Sequence, residues 1–358
     1  MVSLAIDFDM VFFGPLAPIL GMFIFWLVQL LFIENQKHLL AKLKFAHEPL
    51  VRFTNFVGVL FQTICHALGY TVTRSGIQHF HVTVNYGSVE PKKEKTGVFE
   101  WISNSFLFLG PFLIPSGLLL LCSYFLLEKG FAVSAPVSYS FVEGLTIFGT
   151  ALSTYAEGFG TFLLHIDLFN PAHLGFLLLL LFLGMGIRPS YMGEEKKEKI
   201  NMMYDLKNIK NHLIQHPWYL LLLFVIAYGL FCLFYLLSNN WYYVLFAVFG
   251  WISLLAIIAL LLAYLLLALI KFTDDIATPW RYVPFITLPL SYILLRGIFM
   301  VVPLENDTTI ALAGMILCTL GITILLFRYK TNRFKTASKM KHMRAEDGKK
   351  RASQRRAD

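Results

Sequence analysis

Long apolar runs separated by short polar stretches dominate the pattern of this 358-residue chain. A run of about 20 apolar residues is long enough to cross a bilayer as a helix. Runs of this kind occupy residues 10–33, 101–127, 218–237, 241–270, 285–302 and 310–327. Three further segments, residues 54–70, 138–166 and 176–187, are shorter or are interrupted by polar side chains. The pattern therefore predicts an all-α polytopic membrane protein with about eight or nine transmembrane helices.

A different period appears directly after the second predicted helix. Between His79 and Gly87, β-branched and aromatic residues alternate with polar ones. A period of two is typical of a β-strand, because successive side chains of a strand point to opposite faces. We therefore expect a short β-hairpin between the second and third helices.

Composition and charge agree with a membrane location. The chain is 57% hydrophobic and only 15% charged, whereas soluble domains carry about 25% charged residues. The net charge of +8 comes largely from the C-terminal tail, where it indicates membrane topology and attraction to the lipid bilayer, not a nucleic-acid partner. The four cysteines lie inside apolar segments and are expected to pack as small hydrophobic residues. They are Cys65, Cys122, Cys232 and Cys318.

Shifts in composition divide the chain into five parts. We expect an N-terminal transmembrane helix with a surface amphipathic segment, a membrane core, a cytoplasmic loop, a four-helix transmembrane domain and a basic disordered cytoplasmic tail. The corresponding residues are 1–53, 54–190, 191–217, 218–327 and 328–358.

The basic residues of the second half are distributed unevenly over the loops. The loop at residues 188–217, the loop with Lys271 and Arg281, and the tail are basic, whereas the connections at 238–240 and 303–307 contain no Lys or Arg. Cytoplasmic loops carry an excess of Lys and Arg. We therefore expect a multi-pass protein of the cell membrane with its tail in the cytoplasm.

In the first half of the chain, the distribution of Lys and Arg does not decide which loops are cytoplasmic. Nine spans would place the N-terminus outside, but they would also place Arg74 and the lysines at 92–95 outside. A re-entrant hairpin near residues 71–98 or 138–166, instead of a full crossing, would remove this conflict. The side of the N-terminus stays open between these alternatives.

The segment from Phe56 to Tyr70 carries chemistry that an apolar helix seldom has. Polar or reactive side chains stand at its centre, and such groups are costly inside a membrane. They are Gln62, Thr63, Cys65 and His66. The segment resembles the active-site helix of intramembrane zinc metalloproteases of the site-2-protease type, which reads G-x-x-x-H-E-x-x-H-A-x-x-G. The matching positions are Gly58, His66 and Ala67, and Gly69 stands one residue before the last glycine of the pattern.

The resemblance extends over residues 50–190. The segment Gly87–Ser88–Val89 resembles the turn that ends a short β-segment in that family, and Gly110–Pro111 resembles the helix that packs beside the active-site helix. The resemblance thus implies a membrane core in which helix, β-segment and neighbouring helix surround one site.

The two decisive positions of the motif differ from the family pattern. Gln62 stands in place of the first zinc ligand and Thr63 in place of the catalytic Glu. A neutral amide is a poor ligand for zinc, and a hydroxyl cannot act as a general base near pH 7. The degenerate motif therefore predicts no catalytic residues and no cofactor. As an alternative, a Zn²⁺ site with substituted ligands would draw on His66, His79, His81 and Asp167.

Three functions remain open at this point. The first is a catalytically inactive, site-2-protease-like membrane protein that binds or scaffolds transmembrane segments of other proteins. The second is an active intramembrane zinc metalloprotease with substituted ligands, with Glu143 or Glu157 supplying the missing base. The third is a transporter or channel with a path lined by these acids, Asp167 and Arg296. No internal repeat relates the two halves of the chain, although such a repeat is usual in secondary transporters.

Overall fold

The computed structural model of the protein describes residues 8–84, 86–127, 129–187, 214–274, 279–302 and 304–329, together with residues 207, 210, 211 and 276. A π-helical turn, Asp9–Phe13, and a 3₁₀ turn, Trp280–Tyr282, precede α1 and α8. The helices are α1 Leu16–Leu43, α2 Glu48–Val72, α3 Val98–Leu126, α4 Phe141–Leu164, α5 Pro171–Gly186, α6 Pro217–Leu236, α7 Trp241–Thr273, α8 Val283–Val301 and α9 Asp307–Tyr329. The strands are β1 Ile77–Val82 and β2 Gly87–Pro91.

Six helical segments in the described part of the chain are long and apolar enough to cross a membrane. They are Asp9–Leu43, Val98–Leu126, Pro217–Leu236, Trp241–Thr273, Trp280–Val301 and Asp307–Tyr329. Helices α2 and α4 have 25 and 24 residues but a more polar composition, and α5 is apolar but has only 16 residues. The fold is therefore that of a mainly helical, multi-pass membrane protein, and the expected β-hairpin is confirmed.

Helix α1 is longer than expected, because most of the segment that was predicted to lie on the membrane surface continues the same helix. It continues without a break to Leu43, so that only the last few residues of the expected amphipathic segment, from Glu48, belong to another helix. Gln36 and Lys37 are each only 1% exposed, and the Gln36 amide donates a hydrogen bond to the Gly184 carbonyl at 3.3 Å. The apolar side of residues 34–43 thus packs against protein, which sequence periodicity cannot distinguish from a lipid surface.

The chain divides into two compact units, Met1–Leu163 with Asp167–Leu267 and Leu164–Ile166 with Ala268–Asp358. The core of the first unit is formed largely by α4 and α7. The Trp251 indole N–H donates to the Ala151 carbonyl at 3.0 Å, and Tyr155 shares a hydrogen bond of 2.9 Å with Ser123 of α3. These bonds satisfy polar atoms that burial would otherwise leave unpaired.

The second unit contains the hairpin of α8 and α9. Arg296 of α8 forms an ion pair with Asp307 at the start of α9. A guanidinium inside a membrane helix is costly without a partner, so this pair gives Arg296 a structural explanation. The loop expected at 191–217 lies mostly outside the described residues, as does the tail from residue 330 onward.

Helix α2 packs closely on α3 and α5 through glycines on both sides of the contacts. A Cβ atom on Gly110 of α3 would lie 2.7 Å from the Cβ of Cys65, and one on Gly69 would lie 2.8 Å from the Ser103 carbonyl oxygen. On the α5 side, a Cβ on Gly186 would lie 2.5 Å from a methyl group of Val57. The expectation that the Gly110–Pro111 helix packs beside the motif helix is confirmed.

Candidate functional site

The motif residues occupy one side of α2. Thr63 is 4% exposed, and its hydroxyl donates a hydrogen bond of 2.6 Å to the Val59 carbonyl one turn earlier. Gln62 and His66 are half-buried, and the His66 ring stands 4.5 Å from the ring of Tyr70. The positions Gln62, Thr63 and His66 are spaced so that their side chains emerge from one face of the helix.

The β-hairpin lies against this face. Strands β1 and β2 pair antiparallel, with His81 opposite Ser88 and Phe80 opposite Val89. Strand β2 makes the closer approach, because a Cβ atom built on Gly87 would overlap the Thr63 hydroxyl oxygen and would lie 2.9 Å from a methyl group of Val59. Glycine thus permits a contact between strand and helix that no other residue allows without movement.

The open end of the hairpin is attached to the end of α2. The backbone N–H groups of Lys92 and Lys93 donate to the carbonyl oxygens of Gly76 and Ser75 at 3.2 and 3.1 Å. The Lys95 ammonium donates to the Thr73 carbonyl. The strand cannot move far from the motif without breaking these bonds.

A cavity of about 430 Å³ lies between the helix and the strand. We call it the α2–β2 cavity. Its walls combine apolar and neutral polar side chains, and the described part of the chain contributes no Asp, Glu, Lys or Arg to them. The lining residues are Val59, Gln62, Thr63, His66, Tyr86, Gly87, Ser88, Val89 and Leu107. The three motif positions therefore face the hairpin, as expected, but the strand that lines the cavity is β2 and not the strand with His79 and His81.

One buried polar atom of the cavity wall is left without a partner. The Nε2 atom of His66 is inaccessible to solvent and forms no hydrogen bond with any residue that the structure describes. Unpaired buried polar atoms are uncommon, because each costs about 1–3 kcal/mol. Because Nε2 has no accessible surface, a group placed in the cavity does not reach it in this structure.

The four residues expected as substituted zinc ligands are not brought together. His79 and His81 are exposed on β1. The Asp167 carboxylate accepts a hydrogen bond from the Phe169 N–H at 3.0 Å, and the Asp167 backbone bonds the His173 ring. Among the residues with described positions, no group of three or more His, Cys, Asp or Glu side chains could hold a metal ion. The two histidines lie on the strand that does not line the cavity, and the Asp167 carboxylate accepts a hydrogen bond within its own turn.

The two acids considered as general bases also lie outside the cavity wall. Glu143, in the first turn of α4, accepts a hydrogen bond from the Val137 N–H at 3.3 Å. Glu157 is exposed on the same helix. Among the residues that the structure describes, no carboxylate that could activate water therefore lines the α2–β2 cavity.

Some lining residues were not predicted from the sequence. Leu107 gives no signal in sequence beyond its place one turn before Gly110, and Tyr86 carries none beyond its place beside Gly87. Only the hairpin and the close packing of α3 bring these side chains to the motif.

Comparison of the chain with protein-family models, with curated proteins and with solved structures gives no match. The class of the protein is therefore given by its fold and its site: a multi-pass membrane protein with a neutral cavity between a helix and a β-strand.

Proposed function

We propose that this protein has a core similar to that of the site-2 proteases and that it binds segments of other membrane proteins in the α2–β2 cavity without hydrolysing them. The observation that carries the proposal is the joint lining of one cavity by the motif helix and by the strand that follows it. A cavity with an apolar wall and a few convergent polar groups is typical of a binding site.

Hydrolysis is excluded from the proposal because of the residue types in the cavity. Catalytic zinc sites have three protein ligands, and a zinc peptidase also needs a base that takes a proton from the bound water. Of the motif positions only His66 is a strong ligand, since Gln62 is a neutral amide. The Thr63 hydroxyl already donates to the Val59 carbonyl.

The location follows from the charge pattern. We place the protein in the cell membrane, with the basic loops and the basic tail in the cytoplasm, because Lys and Arg accumulate on that side. The bound segments would then reach the α2–β2 cavity from within the bilayer.

Photo-crosslinking tests the proposal directly. Tyr86 lines the cavity and is 53% exposed, so Tyr86→p-benzoylphenylalanine places a crosslinker at the site. The variant is reconstituted in liposomes with an equimolar pool of biotinylated single-span peptides, each with a leucine–alanine core and one central guest residue. We expect peptide adducts at position 86.

The matched control is Phe125→p-benzoylphenylalanine, because Phe125 is an aromatic residue of α3 that is 78% exposed and does not line the cavity. Peptide adducts should form there only at the background level. Equal adduct yields at the two positions, or adducts to lipid alone at position 86, would contradict the proposed function.

A further inference from the structure

We infer that this protein binds an anionic phospholipid in a second cavity, which lies between α3 and the residues that precede α6. The cavity has a volume of about 970 Å³, and we call it the Lys210 cavity. The inference does not depend on the function proposed for the α2–β2 cavity.

The polar part of the lining suits a phosphate group. Four side chains can each donate a hydrogen bond, and one of them is a cation. They are Asn104, Lys210, Asn211 and Gln215. Phosphate oxygens accept hydrogen bonds, and the ammonium of a lysine adds attraction to their charge. Among the residues that the structure describes, no carboxylate lines the cavity, and Glu100, one turn before Asn104 on α3, lies outside it.

The apolar part of the lining suits acyl chains. Leu107 and Phe108 line the cavity on the α3 side, and Ile214, which is 57% exposed, lines it on the other side. On α3 they follow Asn104 by three and four residues, so they share its face of the helix and lie about 5 Å further from the helix start. The polar groups therefore precede the apolar ones along α3, as a headgroup precedes its acyl chains.

Aromatic residues mark the level of the lipid headgroups at this end of the first unit. Helices α3 and α6 begin side by side, because the ring centres of Trp101 and Tyr219 are 5.7 Å apart. The neighbouring Trp218 is 76% exposed. Trp and Tyr are enriched where a membrane protein meets the headgroups. A second cation stands here as well, since the Lys95 ammonium lies 4.8 Å from the centre of the Phe99 ring.

The expected side of the membrane favours an anionic lipid. The basic loop at residues 188–217, which contains Lys210, is one of the loops that we place in the cytoplasm. Anionic lipids give the cytoplasmic leaflet a negative surface potential, and a lysine or arginine near that surface is attracted to it. We therefore assign the phosphate of the lipid to Lys210.

The experiment is a lipid titration of the full-length protein in a non-ionic detergent, followed by mass spectrometry of intact protein–lipid complexes. The probes are phosphatidylglycerol and phosphatidylcholine with the same acyl chains. We expect the first phosphatidylglycerol to bind about fivefold more tightly than the first phosphatidylcholine, the factor that one lysine near an anionic lipid gives. Equal affinities for the two lipids would overturn the inference.

Substitutions assign the preference to the cavity. Lys210→Gln should lower the affinity for phosphatidylglycerol about fivefold, whereas Lys210→Arg should keep it. Lys207→Gln is the matched control, because Lys207 is also exposed and stands three residues earlier but does not line the cavity. Equal losses in Lys207→Gln and Lys210→Gln would show a general attraction to basic residues and would contradict the assigned site.

A soluble competitor separates a lipid site from a site for a free phosphate compound. Glycerol 3-phosphate carries the phosphate of the lipid without its acyl chains. In excess, it should leave phosphatidylglycerol bound, because it cannot contact the apolar part of the lining. Displacement of the lipid from the unmodified protein would assign the cavity to a soluble phosphate compound and would overturn the lipid assignment.

Discussion

At the scale of single residues, Thr63 and Gly87 define the character of the cavity. The Thr63 hydroxyl is bonded to its own helix, and the backbone of Gly87 occupies the space directly above it. The longer side chain of a Glu would not fit at position 63 unless the strand moved. The site is therefore separated from a hydrolytic one by the position of a strand as well as by residue identity.

Gly87→Ala should destabilise the protein by about 1–3 kcal/mol, the usual cost of overpacking. The added methyl group would overlap the Thr63 hydroxyl and approach Val59. The midpoint of thermal unfolding in detergent measures the effect. Gly160→Ala is the control, because a Cβ on Gly160 has no atom within 4 Å, and Ala is favoured in a helix by about 1 kcal/mol.

A double-mutant cycle tests the named contact. Combining Gly87→Ala with Thr63→Ala should recover part of the lost stability, because the overlapping hydroxyl is removed. Additive losses from the two substitutions would show that the strand does not press on Thr63.

The purified protein should contain no stoichiometric zinc. The α2–β2 cavity offers one imidazole, a neutral amide and no carboxylate, and structural and catalytic zinc sites need three or four protein ligands. Metal analysis after purification without chelators checks this. About one zinc per chain, lost on His66→Ala, would refute the account of the site.

At the scale of elements, α3 packs closely on α2 because residue 110 of α3 is a glycine. Gly110→Ala should destabilise the protein by about 1–3 kcal/mol, because its methyl group would press on the buried Cys65 side chain at 2.7 Å. Gly117→Ala, on the same helix, meets its nearest atom only at 4.0 Å and should be neutral or stabilising. Thermal unfolding of the two variants, measured side by side, checks this. Equal losses of stability in the two variants would contradict the close packing at Gly110.

Most elements, but fewer of their contacts, could be predicted from the sequence. Apolar runs placed most helices within about six residues, and the alternation around His81 placed the hairpin, because these signals are local. Helix α1 is the exception, since it continues to Leu43, well past the predicted end at residue 33. The inward side of α1 beyond Glu34 and the strand that faces Thr63 depend on tertiary packing. A hairpin presents one of two strands to its neighbour, and nothing in the alternation of residues 79–87 decides which one.

The candidate site shows the same division. The motif positions on α2 could be found because their spacing is that of one helix face. Tyr86 and Leu107 could not, since they reach the cavity only through the pairing of β2 and the close approach of α3. The positions of His79 and His81 relative to the cavity could not be predicted either, because they depend on which strand lines it.

At the scale of the whole molecule, the charge pattern predicts the topology. In a variant without native cysteines, Ser238→Cys should react with a membrane-impermeant maleimide added to intact cells, because its loop carries no Lys or Arg. Thr336→Cys, in the basic tail, should react only after the cells are permeabilised. Labelling of Thr336→Cys in intact cells would contradict the cytoplasmic position of the tail.

The central claim is that this membrane protein binds a segment in the α2–β2 cavity and leaves its peptide bonds intact. The most direct measurement is the mass of each biotinylated single-span peptide after prolonged incubation of the pool with the unmodified protein in liposomes, with zinc supplied. The account predicts peptide of unchanged mass, and full-length adducts in the crosslinking variant. Shorter fragments that disappear when a chelator is added or when His66 is replaced by Ala would contradict it.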